Sequence, residues 1–151
     1  MTQNFLVGDH NLTPGDASVA LVVLDTGRYL MQLRSERPGI FYPGHWGLFG
    51  GALDAGENFE AGLKRELKEE LGSDIGTGCY FTEFTFDFGF RGMGKITRRY
   101  FEITLPAARV DDLVLGEGSA MKAFDAHDLL TRERVVPYDA FAIWLHATRS
   151  R

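Results

Sequence analysis

The chain predicts an α/β fold, a mixed sheet held between helices, on three observations. Short apolar runs of strand length come first, one helix-patterned segment interrupts them, and alternating strands followed by a closing helix complete the chain. Elements in that order bury their apolar faces most simply by packing helices against a shared sheet. No repeat, linker or low-complexity tract divides the 151 residues. Residues 1–151 therefore read as one domain, long enough for a sizeable core.

Residues 1–17 are polar and turn-rich, a loose arm or a short edge strand. Residues 18–24 (SVALVVL) are continuously apolar and rich in valine, as a strand buried on both faces must be. Asp25-Thr26-Gly27 turns the chain into a second strand at 28–34, and the two make a hairpin. The loop over 35–47 contains Phe41-Tyr42-Pro43-Gly44-His45-Trp46, a run that suits either a plug over the core or a wall of a ligand site. Its aromatics read first as packing residues. A short strand at 47–49 leads into Gly50-Gly51, and the helix-patterned segment lies within residues 51–73.

Beyond it, Gly72 suits a helix C-terminus. Residues 79–88 alternate, with Phe84, Phe86 and Phe88 on one face, and residues 95–105 form the return strand; the aromatics here read as core. A loop at 106–118 precedes a last strand at 120–124 and a helical turn at 125–130. The closing helix, 138–148, starts after Pro137 and is expected to bury Phe141, Trp144 and Leu145.

Composition excludes several classes. A net charge of −5 argues against general nucleic-acid binding, which needs a basic excess. No apolar run approaches the ~20 residues of a membrane span, and MTQNFLVGDHNLTP lacks the basic start and long apolar run of a signal peptide. Cys79 is the sole cysteine, so no intrachain disulfide forms and a reducing, cytoplasmic setting is expected. Without secretion, Asn11-Leu12-Thr13 reads as a chance glycosylation match. His10, His45, His127 and His146 show no ligand-like spacing and read as surface or capping residues.

The segment GALDAGENFEAGLKRELKEELGS carries more carboxylate than a helix favours. At about 100° per residue, Glu66, Glu69 and Glu70 fall within roughly 100° of one another, beside a stripe of Leu63, Leu67 and Leu71. One face can pack on a core while the adjoining edge presents three acids. Like charges so spaced cost about 0.2–0.5 kcal/mol per pair. A cation would relieve that repulsion, and carboxylate oxygens suit a hard divalent ion.

This segment resembles the Nudix box, the signature of the Nudix hydrolases, with Gly51, Glu57, Arg65, Glu66, Leu67, Glu69, Glu70 and Gly72 in register. Only the final aliphatic position departs, where Ser73 stands. Seven fixed identities match by chance on the order of once in a million for such a chain. The resemblance implies a Nudix-type α/β/α sandwich and hydrolysis of a diphosphate bond in a nucleotide, with Mg²⁺ or Mn²⁺ as cofactor. It implies that Glu66, Glu69 and Glu70 are metal ligands, joined by the backbone carbonyl of Gly50, and that Glu57 and Arg65 form a structural pair. Glu117, in a later loop like the one that supplies a general base in some members, is the first choice for that role outside the box. It reads equally as a solvated loop acid, and Glu66 or Glu69 could be the base instead.

Arg34 and Arg37, at a strand end facing the box, suit phosphate clamps and equally an ordinary surface. Tyr42 is the loop aromatic chosen for a substrate contact. The partner expected is a small nucleotide, with no nucleic acid and no membrane; a homodimer is compatible with the sequence. Family marks of ADP-ribose and diadenosine polyphosphate enzymes are missing, since Phe88, Gly89, Phe90 and Arg91 occupy those positions. A nucleoside diphosphate-sugar or a nucleoside triphosphate remains. Two rivals are a non-catalytic nucleotide sensor, which usually shows a degraded box, and an isopentenyl-diphosphate isomerase-like enzyme, which would need a cysteine before the box.

Overall fold

The computed structural model describes residues 15–149. Residues 1–14, where the loose arm or edge strand, His10 and Asn11-Leu12-Thr13 were expected, lie outside the described residues.

β1 (Ala17–Leu24) is the strand on which the sheet is built. Along one edge it runs parallel to β6 (Lys95–Leu105), from Ala17 opposite Arg98 to Leu24 opposite Leu105. Its other edge is shared. β4 (Phe49–Ala52) pairs antiparallel with its first half, and β2 (Tyr29–Leu33) meets it at Val23 opposite Tyr29. The expected hairpin thus exists at its turn, where Gly27 takes a φ of 84°, and then opens. β2 goes on to pair with β3 (Trp46–Gly47) and β7 (Ala120–Phe124), while β5 (Cys79–Asp87) pairs with β6 as an edge strand. The strand expected at 47–49 is broken at Leu48, whose amide instead donates to the Asp139 carboxylate at 3.0 Å.

The period-2 alternation of β1 sorts its side chains between two cores. Ala20, Val22 and Leu24 pack with Leu63, Leu67 and Leu71 of α1 (Phe59–Leu71). Val19 and Leu21 pack with Leu129 of α2 (Ala126–Thr131) and with Ala142 and Ile143 of α3 (Pro137–Thr148). A strand covered on both faces must be apolar throughout, which explains SVALVVL. The three α1 leucines are at most 1% exposed, and burying each is worth about 1.5–3 kcal/mol. At the N-terminus of α1, the Asn58 side chain accepts from the Ala61 amide at 2.8 Å; Gly72 ends the helix in the left-handed conformation.

α3 corrects one expectation. It buries Asp139, Ala142, Ile143 and His146, while Phe141 and Trp144 are about half exposed, at 50% and 48%. The cause is polar anchoring at both ends of one face. Asp139 accepts from the Leu48 amide and the Tyr100 hydroxyl, both at 3.0 Å. His146 meets the Tyr29 hydroxyl through Nδ1 at 2.6 Å and Glu102 through Nε2 at 2.8 Å. Stranding either group without partners would cost more than exposing part of two aromatic rings. His146 is therefore a core residue, not a surface or capping one. One aromatic of β5 corrects another: Tyr80 is exposed (55%), because an edge strand has no neighbour to cover it.

Candidate active site

The acids of α1 meet the glycines of β4. Glu70 is buried; its Oε2 accepts the Gly50 amide at 2.8 Å and its Oε1 accepts from Gln32 Nε2 at 3.2 Å. Removal from water outweighs these bonds and pushes its carboxyl up to about 8, with the charges of Glu66 and Glu117 acting in the same direction. Gly50 has a φ of 137°, and a β-carbon there would stand 2.1 Å from the Ser18 carbonyl oxygen. Only glycine lets β4 lie this close to β1 and aim its amide at Glu70.

Glu66 is half-buried beside Gly51 and accepts from Arg65 Nη1 at 2.9 Å. Burial still raises its pKa, reinforced by Glu69 and Glu117. Glu69 is exposed and reaches the same Nη1 at 3.4 Å. Arg65 Nε and Nη2 each donate to Glu57 at 2.8 Å in a two-pronged pair, and Nη2 also donates to the Ala52 carbonyl at 3.1 Å. The Arg65 hydrogen bonds, with the Asp54 amide, hold the Glu57 carboxyl down to about 2. Together these contacts pin the loop before the helix to the helix itself.

A loop from β6 to β7 completes the acid cluster. Val114 and Gly116 amides donate to the Leu71 and Glu70 carbonyls at 2.9 and 2.8 Å, satisfying oxygens that the end of α1 leaves unpaired. A β-carbon on Gly116 would stand 2.0 Å from the Glu69 carbonyl oxygen, so only glycine permits this seat. The exposed Glu117 carboxylate is thereby held within electrostatic reach of Glu66 and Glu70.

Two cavities flank these groups. One, about 270 Å³, is lined by Gln32, Arg34, Arg37, Glu70 and Glu117 among others. The second, about 200 Å³, lies along Gly50 and Gly51 and has walls from Phe41, Phe86, Phe88 and Tyr138. Arg34 lines both; its Nε donates to the Phe41 carbonyl at 2.6 Å, and no carboxylate pairs with it among the described residues.

The structure thus brings together Gly50, Glu57, Arg65, Glu66, Glu69, Glu70 and Glu117, with Arg34 and Arg37 on the adjoining wall. Tyr42 is the exception. It is 7% exposed, lines neither cavity, and packs its ring against His45 and Tyr138; burial raises its hydroxyl to about 12. Its φ of 49° is rare for a side-chain-bearing residue; Tyr42 packs inward while Phe41 lines the cavity. Phe88 is buried as expected, at 4% exposed, and Phe86 is partly buried; both also contribute to the cavity wall. Sequence reasoning missed Gln32, Arg98 and Asp139. A polar residue on the inward face of a strand was a legible signal for the first two, whereas an acid in the first turn of a helix is unremarkable.

Among the described residues, no three acidic, histidine or cysteine side chains form a closed metal cage as they stand. Glu66 and Glu69 lean on Arg65, and Glu70 is tied to Gly50. The donor set nonetheless fits a hard divalent cation: it is all oxygen, burial holds two members above their ordinary pKa, and Arg65 pairs with Glu57 through Nε and Nη2, leaving only Nη1 to Glu66 and Glu69.

The architecture and the site define an α/β sandwich with an acid-bearing helix on one face of the sheet and an aromatic-walled cavity beside it. The family model of the NUDIX domain matches residues 14–145, and the chain belongs to the Nudix family. It is 39% identical over 57 residues to nucleoside triphosphatase NudI of Escherichia coli, a match covering 38% of this chain and 40% of that protein. The matched stretch thus spans less than half the length of the curated relatives. Its fold is similar to that of the MutT protein from Methanosarcina mazei Go1, with a TM-score of 0.69 at 20% identity, covering 91% of this chain and 100% of that one. It is also similar to the E. coli dihydroneopterin triphosphate pyrophosphohydrolase, with a TM-score of 0.63 at 25% identity over 84% of this chain and 90% of that one. The expected mixed-sheet α/β fold stands. Among the described residues no helix is long and apolar enough to cross a membrane.

Proposed function

We propose that the protein hydrolyses a diphosphate bond in a nucleoside triphosphate or nucleoside diphosphate-sugar, with Mg²⁺ or Mn²⁺ as cofactor. The observation that carries this reading is the buried Glu70, held by the Gly50 amide and facing the charges of Glu66 and Glu117. Glu66, Glu69 and Glu70, with the Gly50 carbonyl, would hold the metal. When bound, the cation supplies charge neutralisation for the phosphates and makes a water more acidic.

The remaining work belongs to the chain. Arg34 and Arg37 offer donors to the phosphates, and the aromatic cavity takes the nucleoside. The water oxygen bonds to phosphorus while the bridging P–O bond breaks and its electron pair leaves with the departing phosphate. Glu117 accepts the water proton; Glu66 or Glu69 are the alternatives.

A panel of nucleotides with Mg²⁺ or Mn²⁺, read by phosphate or pyrophosphate release, tests the reading. Metal-dependent turnover that Glu70→Gln abolishes is the expected result. Tight binding of one nucleotide with turnover of none would replace the hydrolase by a sensor.

A further inference from the structure

The cavity along Gly50 and Gly51 contains a charged pair that hydrolysis does not use: Arg98 on β6 and Asp139 on α3. Asp139 is satisfied from inside. Its Oδ2 accepts the Leu48 amide at 3.0 Å, and its Oδ1 accepts the Tyr100 hydroxyl at 3.0 Å and Arg98 Nη2 at 3.5 Å. The Arg98 guanidinium lies 4.1 Å from the Tyr138 ring centroid, with Nε 3.4 Å from the Tyr100 oxygen. Its side chain, 18% exposed, lines the cavity, and Nη1 has no hydrogen-bond partner among the described residues. A guanidinium so held in the wall of an aromatic cavity points to an acceptor on a ligand.

Charge decides which part of a nucleotide that is. Arg98 is offset by Asp139, so it offers directed donors with little net charge. Arg34 has no carboxylate partner among the described residues and keeps its full charge beside the acids. Phosphate is matched to Arg34, and a neutral, flat group with acceptor atoms is matched to Arg98. Phe41, Phe86 and Phe88 supply faces on which such a ring stacks.

Resting on the nucleotide reading above, we infer that Arg98 is a specificity-determining residue that selects a nucleobase with an oxo acceptor edge, guanine foremost, and rejects adenine. Arginine has donors only. Guanine sets O6 beside N7, two acceptors that a guanidinium meets together; adenine sets the N6 amino donor beside N7, so one donor would face another. Asp139 and Tyr138 are positioning residues that hold the fork in place.

The test is a comparison of kcat/KM for GTP and ATP, with dissociation constants for GMP and AMP by calorimetry, in the native protein and in Arg98→Lys. Lysine keeps the charge opposite Asp139 and lacks the planar fork, and a melting curve checks that the variant folds. The native protein should favour guanine roughly 10-fold or more in both measurements, and Arg98→Lys should bring the ratio close to one. Equal or better use of adenine by the native protein, or an unchanged ratio in a folded Arg98→Lys, overturns base selection while leaving hydrolysis intact. Neither turnover nor binding of any nucleotide overturns this inference together with the reading beneath it. Equal or tighter binding of AMP than of GMP by the native protein overturns the inference even if the variant does not fold.

Discussion

The Glu66 carboxylate stands where a β-carbon on Gly51 would need to be: the carbon would lie 2.7 Å from Glu66 Cδ and 2.8 Å from both oxygens. Glycine at 51 is thus a requirement of the acid cluster, and the obstacle is the mobile end of a side chain, not backbone. Gly51→Ala should therefore leave the fold standing, with a melting temperature within a few degrees of the native value, while displacing Glu66. Metal-dependent turnover should fall at least ~10-fold, in keeping with the sensitivity of catalysis to small displacements. Native rates in the alanine variant would remove Glu66 from the site.

Glu70 makes stability depend on pH in an unusual direction. Its folded-state carboxyl, raised to about 8 from 4.5 chiefly by burial, keeps a proton that the unfolded chain has already released. The stability linked to this group is full below about pH 4.5 and is lost as pH rises toward 8. In chelator, the melting temperature should fall across that interval, and Glu70→Gln should flatten the slope. Added Mg²⁺ or Mn²⁺ should oppose the fall by favouring the carboxylate. Calorimetric melts at several pH values check this; an identical slope in Glu70→Gln would refute it.

The Glu117 loop separates chemistry from placement. Glu117→Gln keeps shape at an exposed position, so melting should not change while kcat falls about 10²–10⁴-fold if the carboxylate takes the water proton. Gly116→Ala acts differently, because its β-carbon would meet the Glu69 carbonyl oxygen at 2.0 Å. The backbone itself must yield, at about 1–3 kcal/mol, and activity should drop along with stability. Urea titrations beside initial rates distinguish the two variants.

Glu57 governs the acid side. The Arg65 hydrogen bonds hold its carboxyl near 2 in the folded chain, against 4.5 when free. A depressed carboxylate stabilises above the higher value and loses that contribution as pH falls to the lower one. Glu57→Gln should therefore melt earlier at neutral pH and show a shallower decline between about pH 4.5 and 2. A decline as steep as the native one would sink this account.

By itself the sequence determined what lies within one element or one turn of chain. Helical spacing put Glu66, Glu69 and Glu70 on one edge and Leu63, Leu67 and Leu71 on the next, since 3.6 residues per turn leave little choice. Period 2 and continuous burial likewise marked β1 and β6, and Gly72 marked the end of α1. Tertiary structure decided which separate elements meet. It drew β2 away from β1 to β3 and β7, rotated α3 so that Asp139 and His146 face inward, exchanged Tyr42 for Phe41 at the cavity, and seated Glu117 against the last turn of α1. None of these follows from a local period. Each is settled by hydrogen-bond partners far apart in the chain, such as Leu48 with Asp139 and Tyr29 with His146, whose burial is tolerated only because they find one another.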